Sequence, residues 1–266
     1  DCKTEDLSKL FSGEVRYHVP IYQRPYSWGN DELRSLIENL SDAFQKQEPV
    51  FMGTIQFSAP VPLDPDGKKR SYDIIDGQQR LTTFLILQCV LDALTGNDSN
   101  EKFKTILYTH VNRGSAQEDL DEFFSDLKSV KDIERLGEKT HNKYSQNAKE
   151  LYRLIKEFFS NKDKCDSIPK DPLKELSNFI TENIQFIVIE THANLSKTLK
   201  IFDTINTTGL DLGTSDLFKI RFYDYRTHIC GDDDDIFNRI SEIYQSIDNR
   251  KRDHPEKPSF SMDDLL

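Results

Sequence analysis

Asp73-Ile74-Ile75-Asp76-Gly77-Gln78-Gln79-Arg80-Leu81-Thr82-Thr83 decides how this chain is read. Before the glycine the residues are apolar and extended in character, with Tyr72, Ile74 and Ile75. Gly77 reads as a turn, and Leu81 to Leu94 is apolar on nearly every side of a helical wheel, as expected of a buried helix. Asp76, Gln78, Gln79 and Arg80 therefore fall at a strand-to-helix junction. The first N–H groups of a helix have no intrahelical acceptor, and the positive end of the helix dipole lies there, so the junction favours an anion. An acid, two amides and a guanidinium at that place read as a phosphate-handling site. The plainer reading is a capped helix with a solvated first turn.

Working outward, residues 4–11 have a short helical look, and Glu14 to Val19 reads as a strand with Val15, Tyr17 and Val19 on one face. Pro20-Ile21-Tyr22-Gln23-Arg24-Pro25-Tyr26-Ser27-Trp28 is an ordered loop, after which Asn30 or Asp31 can cap a helix carrying Leu33, Leu36, Ile37, Leu40 and Phe44. Phe51 to Phe57 is a second strand, Pro60 to Arg70 a hairpin-like connection with the basic run Lys68-Lys69-Arg70, and Ser71 to Ile75 a third strand. From about 100 to 184 amphipathic helices dominate, the longest striped by Tyr144, Ala148, Leu151, Ile155 and Phe159. Gln185 to Glu190 returns as a strand, and further helices follow. The pattern predicts an α+β fold with a small mixed-sheet core of three or four short strands and a large helical insertion. Its divisions are a core over 1–99, the insertion over 100–184, a return to the core over 185–228, and a C-terminal helix and the start of a further region over 229–266.

The totals bound the function. The 266 residues carry a net charge of −11, which excludes a uniformly basic nucleic-acid face while leaving room for a local basic cleft. No apolar run approaches a membrane span. The four cysteines are not at metal-ligand spacing, so a reducing cytoplasm is the expected location.

Three stretches can carry chemistry. At the junction, Arg80 can grip phosphate through two parallel donors, Gln78 and Gln79 can hold phosphate oxygens or a water, and Asp76 can bind magnesium or orient an attacking water. In the loop, Tyr22 can stack a base, Gln23 is a polar candidate beside it, and Arg24 can reach a phosphate. Later, Phe202 to Gly209 and Asp216 to Lys219 put Asn206, Gly209, Asp216 and Lys219 near two helix ends, a common arrangement around a nucleotide.

These stretches, in this order, resemble the N-terminal domain of GmrSD-type modification-dependent restriction proteins. The likeness rests on Pro20 to Trp28, Asp76 to Thr83, Gly53 within Phe51 to Ile55, and Phe202 to Lys219, and it covers roughly residues 1–225. It implies a ParB/sulfiredoxin-like fold and a domain that hydrolyses a nucleoside triphosphate, often GTP, with magnesium. In such systems hydrolysis is coupled to modified DNA and to a His-Asn-His (HNH) type nuclease domain in the same or another chain, as part of phage defence. On that basis Asp76, Gln78, Gln79 and Arg80 are the expected catalytic set, with Asp76 also the expected metal ligand. Tyr22, Gln23, Arg24, Gly77, Asn206, Gly209, Asp216 and Lys219 are the expected nucleotide contacts. Two rival readings use the same pocket: a phosphodiesterase that nicks DNA, and a non-catalytic sensor of nucleotide or modified DNA. An oligomer is compatible with all three. The ending Asp263-Asp264-Leu265-Leu266 reads as a helix start, so the natural protein is expected to continue.

Overall fold

The computed structural model describes residues 1–20, 23–97, 100–111, 115–127, 129–136, 142–163, 170–192 and Tyr225. The elements in chain order are β1 (Cys2–Asp6), α1 (Leu7–Leu10), β2 (Val15–Val19), α2 (Asn30–Lys46), β3 (Val50–Ser58), β4 (Val61–Pro62), β5 (Arg70–Asp76), α3 (Gln78–Thr95), α4 (Asn100–Lys104), β6 (Leu107–Thr109), α5 (Ser115–Asp126), α6 (Val130–Arg135), α7 (Lys143–Asp163), α8 (Lys170–Asn183) and β7 (Ile184–Thr191). The fold is α+β with one mixed sheet, as the pattern predicts.

Among the described residues the sheet has seven strands, more than the expected three or four. Its order is β1-β7-β3-β5-β2-β6, with β4 beside β5. β5 is central. It runs antiparallel to β3, with Gln56 opposite Asp76, and parallel to β2, with Tyr17 opposite Tyr72. Alternation puts Tyr17, Phe57 and Tyr72 on one face, where the rings of Tyr17 and Phe57 stack at 4.8 Å. Such contacts, with the burial of about three large rings, hold three strands in register.

Three strands escaped the pattern: β1, β6 and the two-residue β4, which lies inside the expected connection. β1 is exposed or half-buried throughout, Cys-Lys-Thr-Glu-Asp, with no apolar alternation to mark it. It exists because it pairs antiparallel with β7, and only Leu7–Leu10 of the expected helical stretch is helix. β6 is three residues long and lies inside the helical region, parallel to β2 at the sheet edge. A further difference is the start of α2. Its cap is Gly29, ahead of the expected Asn30 or Asp31, and the Glu32 carboxylate reaches back to accept from the Gly29 N–H at 2.8 Å.

α3 is the hub. From Leu81 to Leu91 every residue except Gln88 is buried, which requires neighbours on all sides. Phe84 meets Phe186 of the sheet edge-to-face at 5.5 Å, and α7 and α8 pack against the rest. α7 also lies against α2, where Phe44 meets Phe158 at 6.5 Å and, on α8, Phe179 at 5.5 Å. One continuous apolar cluster therefore takes in the sheet, α2, α3 and the helices between 100 and 184. No helix among the described residues is long and apolar enough to cross a membrane.

Phe84→Ala empties the contact between hub and sheet. It should lower the unfolding free energy by about 3–5 kcal/mol, read from urea denaturation monitored by circular dichroism.

Candidate functional site at the start of helix α3

Asp76 ends β5, Gly77 turns the chain and Gln78 begins α3. Gly77 has φ 90°, and a Cβ there would lie 3.0 Å from Ile55 Cγ1 and 3.3 Å from Ile55 Cα. The backbone conformation and the approach of β3 both demand glycine. A glycine cap has no side chain to offer, so no side-chain cap satisfies the first amides of α3. Leu81 N–H is the first to find the helix, bonding Gly77 O at 2.9 Å. This leaves the amide donors of the first turn facing the junction, at the positive end of an 18-residue helix.

Arg80 lies against β3. Its Nη1 donates to Met52 O at 3.0 Å, and its Nη2 donates to Thr54 O at 2.7 Å and to Asp76 Oδ2 at 3.4 Å. Between those two carbonyls sits Gly53, at φ 93°, where the pairing of β3 with β7 shifts register between Phe51 and Thr54. A Cβ on Gly53 would be 2.3 Å from Arg80 Nη1. The irregularity thus turns two carbonyls toward one guanidinium, and only glycine leaves room for it. The side chains of Arg80 and Asp76 are 25% and 27% exposed, so both are anchored yet open on one side.

The loop before α2 is tied to the same turn by buried amides. Gln23 Nε2 donates to Ile74 O at 3.2 Å and Ile75 O at 2.9 Å, on the last turn of β5 backbone. Gln79 Oε1 accepts from Ser27 N at 2.8 Å and Trp28 N at 3.3 Å, while its Nε2 donates to Pro25 O at 3.0 Å and Gln78 Oε1 at 3.2 Å. Asn147 of α7 adds a third tie, donating to Tyr26 Oη and Trp28 O, both at 2.9 Å. Tyr26 Oη also meets Thr83 Oγ1 at 2.8 Å, and Tyr26 stacks on Tyr144 at 5.3 Å. Burial pushes the Tyr26 hydroxyl up to about 12, so it remains a neutral donor at any working pH.

The expected site residues thus divide. The Nε2 donors of Gln23 and Gln79 are both committed to protein acceptors, and each side chain is buried. In this arrangement they shape the site and hold the loop on it. Gln78 is buried beside them. Asp76, Arg80 and the amides after Gly77 face the junction, and Arg24, half-buried, lies next to Gln23. Tyr22, Asn206, Gly209, Asp216 and Lys219 lie outside the described residues. Asn147 was missed because it reads as a single polar interruption of the Tyr144, Ala148, Leu151 stripe; a buried amide on an apolar helix face was its available signal. Lys68 and Arg70 of the basic run line a different concavity, about 580 Å³, at the opposite end of β5, where Glu5, Glu14, Asp66 and Glu190 balance them with Lys3 and Lys9.

The profile of the family described as GmrSD restriction endonuclease, N-terminal domain, matches residues 7–223. The chain belongs to that family. The match includes the loop from Pro20, the junction at Gly77 and the segment through Lys219, so the residues joined above are parts of one GmrSD N-terminal domain. The chain is also similar to the uncharacterized protein MJ0686 of Methanocaldococcus jannaschii, with 25% identity over 249 residues, 82% of this chain and 41% of that protein. It therefore spans less than half of the length of that relative.

Two substitutions test the geometry. Gly53→Ala should destabilise the fold by about 1–3 kcal/mol through strain and displacement of Arg80. In an Arg80→Ala background most of the clash penalty should vanish, read as a double-mutant cycle in urea. Asn147→Ala leaves a buried hydroxyl and carbonyl short of a donor and should cost about 1–3 kcal/mol, with loss of protection of the Ser27 and Trp28 amides in hydrogen exchange.

Proposed function

We propose that the β5–α3 junction binds the phosphates of a nucleoside triphosphate, GTP above others, and hydrolyses it as the N-terminal domain of a restriction protein in phage defence. The observation that supports this most is the uncapped start of α3 flanked by a half-open Arg80 and Asp76. Backbone amides and the helix dipole would receive phosphate oxygens. Arg80, its inner donors fixed on Met52 O and Thr54 O, would present its outer edge to the same anion. Arg24 would close over it from the loop.

The carboxylate of Asp76 suits a hard divalent cation such as magnesium, because one oxygen lies toward Arg80 and the side chain is partly open. Asp76 would hold that ion, which would supply positive charge against the phosphates as charge develops on the leaving group. Asp76 would also orient the attacking water. Gln23, Gln79 and Asn147 would act by keeping the loop seated, so that catalysis consists mainly of positioning and charge stabilisation. The ParB/sulfiredoxin-like character of the core, the contacts from Tyr22, Asn206, Gly209, Asp216 and Lys219, and a cytoplasmic location belong to the same proposal. So do action on modified DNA and partnership with an HNH-type nuclease domain.

Phosphate release from GTP, ATP and CTP with magnesium tests it. Asp76→Asn, which preserves shape, should reduce release by about 10²-fold or more, and Arg24→Ala should raise KM with a smaller effect on kcat. Arg80→Ala is the less clean variant, since it also strips Met52 O and Thr54 O of a donor. Equal release by the parent and folded Asp76→Asn would overturn the assignment.

A further inference from the structure

Strands β5, β2 and β6 are parallel neighbours, so matched positions stand in a row across them. His18 on β2 is in register with Asp73 on β5 and with Tyr108 on β6. His110 follows β6 and is held by its N–H bond to Val19 O at 3.0 Å. The two imidazoles meet on this face. His18 Nδ1 and His110 Nε2 are 3.2 Å apart, and the rings lie 11° from parallel. Tyr108 stacks on His18 at 5.5 Å, and Arg16 lies over Tyr108 at 4.9 Å.

Two imidazole nitrogens this close share one proton or hold one ion. Two imidazoles on a single tetrahedral zinc, at the usual bond length, have nitrogens ~3.3 Å apart. Burial, then the neighbouring His110 and Arg16, hold the His18 pKa below its ordinary value, against an upward pull from Asp73. Asp73 is exposed at the registered position and carries the carboxylate that a two-histidine set lacks. It also offsets the charge of Arg16.

We propose that His18, His110 and Asp73 form a site for a divalent transition-metal ion of the zinc class. To close it, the imidazoles would tilt until both lone pairs converge, and Asp73 would turn from its registered position toward His18. As the ion enters, the ring that held the shared proton takes up its other tautomer, with the proton on its outward nitrogen, so that both facing lone pairs are free and each imidazole stays neutral. Among the described residues, the group of three whose ligand atoms already lie within reach of one another is a different one, Asp1, Glu190 and His192. There, however, Glu190 is paired with Lys3 at 3.0 Å and His192 with Asp1 at 3.6 Å. An ion at the histidine pair would clip the end of β6, which among the described residues joins the sheet through β2, to β2 and β5. The proposal is independent of nucleotide hydrolysis.

The test is titration of the chelator-treated full chain with zinc chloride by calorimetry and with cobalt(II) by visible absorption. One ion should bind per chain. His18→Gln and His110→Gln should each weaken binding at least about tenfold, Asp73→Asn less, and His192→Gln not at all. Added zinc should raise Tm of the parent and leave that of the folded double histidine variant unchanged. Absence of saturable binding by the parent, or binding unchanged in the double variant, would overturn the site. Should a variant not fold, imidazole proton resonances of the parent give the answer. Those of His18 and His110 should broaden with cobalt(II), and unmoved resonances would overturn the proposal.

Discussion

A helix buried on every side can begin with polar residues only if each finds a partner inside the protein. α3 meets that demand residue by residue. Gln79 faces the loop before α2, Arg80 faces the bulged carbonyls of β3, and Thr83 faces Tyr26. The first turn of the helix is therefore the point where loop, sheet and the helices beyond residue 100 are joined. Burial of the apolar length of α3 supplies the driving force, and the polar turn supplies the geometry. What remains open after these pairings is narrow: a few amides, one edge of a guanidinium and one carboxylate.

This division explains why the residues of this turn are narrowly prescribed. Glycine at 77 answers to Ile55, glycine at 53 answers to Arg80, and Gln79 answers to main-chain atoms of three loop residues. None of these tolerates a merely similar side chain. A glutamate at 79 would still accept from Ser27 N–H and Trp28 N–H, but would set an oxygen against the acceptors Pro25 O and Gln78 Oε1.

Much of the fold was legible in the residues. The extended-glycine-helix succession at 73–83, the apolar length of α3 and the amphipathic stripes after residue 100 all stand where periodicity puts them. β1 and β6 were not legible, because a charged edge strand and a three-residue strand carry no alternation; their partners, distant in sequence, create them. At the site, residue types left open how each residue is used. A glutamine beside a helix start looks the same whether it meets phosphate or protein, and only the position of Pro25, Ser27 and Trp28 settles where the side chain of Gln79 goes. Asn147 was hidden for the same reason, since its acceptors lie more than a hundred residues earlier.

The strand order has a consequence for how the chain is made. β7 is inserted between β1 and β3, and the main chain closes from Asp1 to Glu190 across 189 positions. During synthesis from the N-terminus, β1 and the outer edge of β3 wait unpaired until Ile184–Thr191 has left the ribosome. Such late, non-local closure slows folding and leaves strand edges open in the meantime. The charges of β1, with Lys3, Glu5 and Asp6 in five residues, are the kind that keep a waiting edge from pairing with another chain. The feature that concealed this strand from periodicity thus also protects the nascent polypeptide.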